Sequence, residues 1–280
     1  MAVLEVMSPA TDAVAEDLAD YLQDPLRVSA PVKKRSTAAT SATRERKILQ
    51  QPGFVLHARP YKETSLIVDV LTRDFGRIAL VAKGAKRPHS QLRSVLQTFQ
   101  PLNLSWMGKA ELKTLTSADW VGGMLPLEKS ALVCGFYLNE LIIKFLLKDE
   151  PHPALFDQYV ATINQLAHGE SAPVVLRQFE LVLLRQSGLL GDIHLCTEQR
   201  AVVQPELHYV LDPQAGTRPA RPGDHFPVLS GACLLAMADG DYSLPETQFQ
   251  SKMLMRFLLS HHLHGAVLST RQLLIDLQNL

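Results

Sequence analysis

The chain has 280 residues, 28 Lys and Arg balanced by 28 Asp and Glu, and a hydrophobic fraction of 46%. That is enough apolar material for a packed core and, by length, for about two domains. Three cysteines, Cys134, Cys196 and Cys233, are odd in number and far apart. They exclude a disulfide framework and predict a reducing, cytoplasmic setting. No apolar run approaches the ~20 residues of a membrane span, and no basic stretch followed by an apolar one marks a secretory signal at the N-terminus.

Residues 1–47 read as a disordered tail. A short helix is expected near Ala13–Leu22, followed by the polar, Ser/Thr-rich and basic run "APVKKRSTAATSATRERK". That run has too few large apolar groups to offset the entropy of ordering it. Its bases Lys33, Lys34, Arg35, Arg44, Arg46 and Lys47 suit either loose phosphate contacts or an ordinary solvated linker.

Residues 48–122 read as a β-module. "GFVLHARP" is a short apolar segment closed by Pro60, and "SLIVDVLT" is β-branched and apolar. "GRIALVAKG" alternates, with Ile78, Leu80 and Ala82 on one face and Arg77, Ala79, Val81 and Lys83 on the other. Gly76, after Asp74-Phe75, fits a hairpin turn with a left-handed residue. "SQLRSVLQTF" places Leu92, Val95, Leu96 and Phe99 at helical spacing. "LNLSWMG" and "AELKTLTSADW" then form a second hairpin through Gly108-Lys109. Three strands, a helix and two strands is the order of a five-stranded barrel of the oligonucleotide-binding (OB) type.

Residues 123–280 read as a helical bundle. "LPLEKSALVCGFYLNELIIKFLLKDEP" keeps a helical period for over 20 residues before Pro151 and Pro153 stop it. "ALFDQYVATINQLAHG" and "PVVLRQFELVLLRQSG" are two more amphipathic helices, ending at Gly169 and Gly188. Residues 189–228 form an irregular insertion, broken by Pro205, Pro213, Pro219, Pro222 and Pro227, with a short hairpin around His208–Leu211. Helical patterns resume in "SGACLLAMADG", "PETQFQSKMLMRFLLSHHLHG" and "TRQLLIDLQNL".

Catalytic motifs are missing. No phosphate-binding Gly-rich loop and no G-x-S-x-G elbow occurs. His261 and His264 share a helix face in "HHLH", yet no carboxylate or thiolate companion is evident, and their place in a last helical turn suits the helix dipole. Cys196, with His194 and His208 nearby, lacks the paired cysteines of a structural zinc site. Cys134 has no base to activate it and reads as core. Neither a metal nor another cofactor is expected.

Charge is the remaining signal. Residues 48–120 hold ten bases, Arg59, Lys62, Arg73, Arg77, Lys83, Lys86, Arg87, Arg93, Lys109 and Lys113, against five acids, while residues 121–280 hold an excess of acids. A basic module joined to an acidic one suggests a polyanion partner for the first. Tyr61 lies between Arg59 and Lys62, and Phe75 between Arg73 and Arg77. Bases interleaved with rings suit single strands, through phosphate contact and base stacking on Tyr61 and Phe75. The same residues also fit a solvated rim around a barrel whose rings, Phe54, Phe99 and Trp106, fill the core.

"GFVLHARPYKETSLIVDVLTRDFGRIALVAKGAKRP", "LQTFQPLNLSW", "ELKTLTSAD", "FYLNELIIKFL" and "RQFELVLLRQSGL" together resemble the RecO family of bacterial recombination and repair mediators, over roughly residues 50–265. The resemblance implies an N-terminal OB domain, a helical domain, and an insertion that in relatives often binds zinc through Cys pairs. Here only Cys196 lies near such a position, so a zinc-finger-like element without its Cys ligands is expected. The resemblance further implies a non-catalytic protein with no small-molecule substrate and no membrane, working on the bacterial nucleoid. Its implied partners are single- and double-stranded DNA, RecR and the acidic C-terminal tail of single-stranded DNA-binding protein (SSB). Its implied activities are strand annealing and assistance to recombinase (RecA) loading. It makes the ten bases DNA contacts, with Lys83, Lys86, Arg87 and Arg77 foremost. It puts the SSB-tail site around Tyr137, Leu141, Lys144, Phe145 and Lys148, positions that core packing also needs. The alternative is a protein–protein adaptor whose barrel binds protein partners.

Overall fold

A computed structural model describes residues 47–270. Residues 1–46 of the expected tail, with its helix and all its named bases but Lys47, and nearly all of the closing "TRQLLIDLQNL", lie outside the described residues; Lys47 opens the first strand of the barrel instead. By contacts the chain divides into two units. One runs to Arg73 and resumes over Ile78–Pro126, and the other combines Asp74–Arg77 with Leu127 onward.

β1 (Lys47–Tyr61), β2 (Ser65–Thr72), β3 (Gly76–Ala82), β4 (Leu102–Met107) and β5 (Leu112–Trp120) close a barrel in the order β1-β2-β3-β5-β4, all within the first unit but for Gly76 and Arg77, which open β3 and belong to the second. Helix α1 (Gln91–Val95) falls between β3 and β4, as the OB pattern requires. β1 closes the barrel by changing partner along its length. Its first part pairs with β4 and its second with β2, and Gly53 faces both Leu102 and Thr72. A Cβ at Gly53 would stand 2.9 Å from the Leu71 carbonyl oxygen and from Leu104 Cδ1, so the close approach of β2's backbone and the Leu104 side chain needs that atom absent.

β1 begins six residues before the apolar segment that marks it in the sequence. Gln50, at φ 51°, sits in a register shift there, and its N–H donates to Ser105 Oγ at 3.0 Å. A bulge breaks the period-2 pattern, so alternation could not reveal this part of the strand. Ile78, Leu80 and Ala82 are fully buried and Lys83 is exposed, as alternation predicts, although Ala79 is buried too. α1 is shorter than the helical spacing out to Phe99 suggests. Thr98 bridges Val55, and Phe99 takes φ 65°, so the chain leaves the helix to reach the barrel wall.

In the second unit α2 (Lys129–Phe145), α3 (Pro153–Ala167) and α4 (Ala172–Gln186) are the three expected amphipathic helices, joined by α5 (Gly231–Ala238) and α6 (Pro245–His262). α2 is shorter than its sequence pattern. Leu146 is already extended and Asp149 takes φ 61° before Pro151 is reached. Leu138, Leu141, Ile142, Phe156, Tyr159, Ile163, Phe179 and Leu183 form the core. Two polar links are buried within it: Tyr159 Oη donates to Asn139 Oδ1 at 2.7 Å, and Tyr137 Oη to Glu180 Oε1 at 2.5 Å. Arg177 completes the second by pairing with Glu180 at 2.5 Å.

The insertion is more regular than its prolines suggest. β8 (His208–Asp212) pairs with β9 (Gly216–Pro219) and with β10 (Val228–Ser230), and β6 (Leu195–Cys196) pairs with β7 (Ala201–Val202). Ion pairs hold it. Arg218 donates to both carboxylate oxygens of Asp224 at 3.0 and 2.7 Å and reaches Asp212 at 3.5 Å, and Arg221 meets Glu198 at 2.7 Å. Cys196 is buried, and among the described residues no group of three or more His, Cys, Asp or Glu is placed to hold a metal ion. No described helix is long and apolar enough to cross a membrane.

Candidate nucleic-acid interface

Two loops of the barrel meet. The β1–β2 turn carries Lys62, at φ 52°, with its ammonium 5.3 Å from the centre of the Tyr61 ring. The β3–α1 connection carries Lys83, Lys86 and Arg87. It folds through turns closed by Ala85 N–H to Ala82 O (3.4 Å) and Arg87 N–H to Gly84 O (3.0 Å). The Lys86 N–H then donates to Thr64 O at 2.9 Å and ties this connection to the β1–β2 turn. Residues twenty or more apart in sequence therefore share one end of the barrel. Lys62, Lys83, Lys86 and Arg87 are all exposed there, as is Arg59 on the last part of β1, and Glu63 is the acid among them. Arg93 follows on α1, also exposed.

Among the described residues no carboxylate lies within ion-pair distance of Arg59, Lys62, Lys83, Lys86, Arg87 or Arg93. Uncompensated positive charge on adjoining loops attracts a polyanion.

The other bases in the expected set are placed differently. Lys109 is exposed in the β4–β5 turn. β5 starts at Leu112 opposite Ala79, midway along β3, and runs parallel to it, whereas Lys83 follows the far end of β3. Lys109 thus lies at the opposite end of that strand pair. Lys113 is half-buried and paired in register with Leu80. Arg73 is half-buried where β2 ends, its N–H donating to Pro52 O at 3.3 Å.

Arg77 departs most from its expected role. Its Nη1 donates to the Ile143 and Leu146 carbonyls at 2.6 and 3.0 Å, at the C-terminal end of α2. Its own carbonyl accepts from Asp149 N–H at 2.8 Å. A helix leaves its last carbonyls without intrahelical partners, and a guanidinium there satisfies them and the negative end of the helix dipole together. Gly76 is fixed by the same junction: at φ 64°, a Cβ on it would lie 1.7 Å from Glu150 O. Phe75, beside it, is half-buried, and Tyr61 is half-buried in the other turn.

The expected tail-binding set on α2 is likewise divided. Leu141 is fully buried and Tyr137 is 9% exposed, its hydroxyl donating to Glu180, so both belong to the core. Lys144 and Lys148 are exposed and Phe145 half-buried. Lys144 pairs with Glu140 at 3.7 Å, and Glu140 also accepts from Ser269 N–H, Thr270 N–H and Thr270 Oγ1. Burial pushes the Glu140 carboxyl up, but those hydrogen bonds and Lys144 hold it below the usual carboxylate range.

A closed five-stranded barrel with an uncompensated basic end, followed by a helical unit carrying a small β-insertion, defines an OB-barrel protein of two units. Residues 47–124 match the family described as Recombination protein O N terminal, and residues 128–223 that described as Recombination protein O C terminal. The chain belongs to the RecO family of DNA repair proteins. It is 54% identical to the DNA repair protein RecO of Ralstonia nicotianae, over 98% of this chain and 100% of that one. The RecO proteins of Burkholderia pseudomallei and Burkholderia orbicola are 58% and 53% identical, over 89% and 100% of this chain and 91% and 100% of theirs.

Proposed function

We propose that this protein is a non-catalytic mediator of recombinational repair in the bacterial cytoplasm and nucleoid. It binds single- and double-stranded DNA, anneals complementary strands and, with RecR, assists RecA loading onto SSB-coated strands. The observation that carries the DNA-binding part is the hydrogen bond from Lys86 N–H to Thr64 O, which gathers Lys62, Lys83, Lys86 and Arg87 on one barrel end. Annealing makes and breaks no covalent bond. It needs phosphate charge lowered so that two polyanions can approach, and base edges left open to pair. Exposed bases on short loops supply the first without enclosing the second. Contact with the acidic SSB tail rests on Lys144, Phe145 and Lys148, since Tyr137 and Leu141 are core.

Changing Lys62, Lys83, Lys86 and Arg87 together to Gln tests the DNA reading. Removing four phosphate contacts should lower the log–log salt slope for a labelled oligonucleotide by about 3. The same variant should lose annealing of SSB-coated strands, and SSB without its tail should weaken annealing by the parent protein. An unchanged slope and affinity in the variant would favour the adaptor alternative instead.

A further inference from the structure

The barrel carries an aromatic side chain that none of the sites above uses. Trp120 closes β5 and is 63% exposed, whereas the other tryptophan, Trp106, is 1% exposed in the barrel core. A Trp ring buries a large apolar area against a partner and carries one polar handle. Trp120 is also held in place: its Nε1 donates to Gln100 Oε1 at 3.1 Å, its backbone is paired with Leu102, and the next N–H, of Val121, donates to Pro101 O at 3.1 Å. An indole with its only polar atom already satisfied, and its position fixed by the strand, offers a preordered apolar surface.

Its surroundings indicate what that surface receives. β3 and β5 run parallel, with Val81 opposite Thr114, so β5 runs toward Trp120 in the same direction as β3 runs toward the Lys83–Arg87 loop. α1, bearing the exposed Arg93, packs against β5. The polar group hydrogen-bonded to the ring is the neutral amide of Gln100. The nearest acid along the strand is Asp119, which accepts from Gln50 Nε2 at 3.4 Å and points to the opposite face of the strand. A phosphate is therefore not favoured at Trp120, while a neutral, flat, aromatic group is, with its attached phosphates running back toward Arg93 and Lys83.

We propose that Trp120 is a base-stacking residue, taking an unpaired nucleobase of a single strand whose phosphates lie on the Lys83–Arg87 loop and Arg93. This rests on the DNA-binding reading above and adds a base contact that phosphate contacts alone do not give.

The two tryptophans make the test direct. The full-length chain is titrated with unlabelled oligo-dT at low salt while its intrinsic emission is followed, and labelled oligo-dT is followed by anisotropy in parallel. Emission should fall and saturate together with the anisotropy. Trp120→Phe should leave only the Trp106 signal, unresponsive to DNA. Trp120→Ala should weaken single-strand binding about tenfold with unchanged Trp106 emission, and should alter binding to a blunt duplex less than twofold. If anisotropy reports binding while emission stays flat and Trp120→Ala binds like the parent, the stacking proposal is overturned and the DNA-binding reading stands. If oligo-dT does not bind at all, both fall. Binding lost equally for duplex and single strand would also overturn stacking, because a paired base cannot reach the ring.

Discussion

The barrel and the helical unit treat positive charge in opposite ways. In the helical unit arginines are committed inside the fold: Arg177 to the buried Glu180, Arg218 to Asp224 and Asp212, and Arg77 to the last carbonyls of α2. On the barrel's basic end Lys62, Lys83, Lys86 and Arg87 have no carboxylate partner among the described residues and are exposed. Three of those four are lysines, and all are on loops. Arginine's planar fork suits fixed carbonyl and carboxylate partners, whereas lysine is a mobile point charge suited to a sliding polyanion. A count of bases along the sequence merges the two uses. Placement separates them.

If that division holds, Arg177→Met should have the largest effect on stability. It would leave Glu180, completely buried and with its carboxyl already pushed up by burial, facing the Tyr137 hydroxyl without its cation. Removing one partner of a buried pair costs about 3 kcal/mol or more, which urea unfolding would register as a lower midpoint. DNA affinity should not change. Arg77→Ala comes next. Losing a charged donor to two helix-end carbonyls should destabilise by about 2 kcal/mol and leave the oligonucleotide salt slope intact, while Lys86→Ala should lower that slope by about 0.7 and leave the unfolding midpoint intact. Equal salt-slope losses for Arg77→Ala and Lys86→Ala would break the comparison, because Arg77 would then be acting on DNA.

These two arginine and lysine positions also show how far the sequence could be read. Alternation placed Ile78, Leu80 and Ala82 in the barrel wall, and Gly76 in a left-handed turn, because both follow from local backbone geometry. The five strands, the helix between the third and fourth, and α2 to α4 were legible for the same reason. Arg77 was not legible as a helix-end partner. Its acceptors are 66 and 69 residues away, and no local pattern encodes that distance. Tyr137 and Leu141 share a helical period with Lys144, and the period alone does not say which side of α2 meets the core. The start of β1 was hidden by its bulge at Gln50. Trp120 had a local signal, an aromatic residue at a strand end two residues before Gly122-Gly123, but a strand end reads as core until its exposure is known.

The smallest expected effect lies in the insertion, where charge is committed but near solvent. The Arg218 guanidinium, together with the Arg221 N–H, holds the Asp224 carboxyl down to about 2. In the unfolded chain the same group titrates near ~3.9. A depressed folded value means that the ionised pair adds stability above the unfolded value and loses it as pH falls between the two. Asp224→Asn keeps the side chain's size and removes the charge. Its melting temperature should therefore lie below the parent's at pH 7, and the gap should narrow as pH falls from about 4 toward 2. A gap that stayed constant through that range would mean that shape rather than charge holds Arg218 against β8 and β9. Oligonucleotide binding at pH 7 should be the same for both proteins, since Arg218 is 9% exposed and already committed within the insertion.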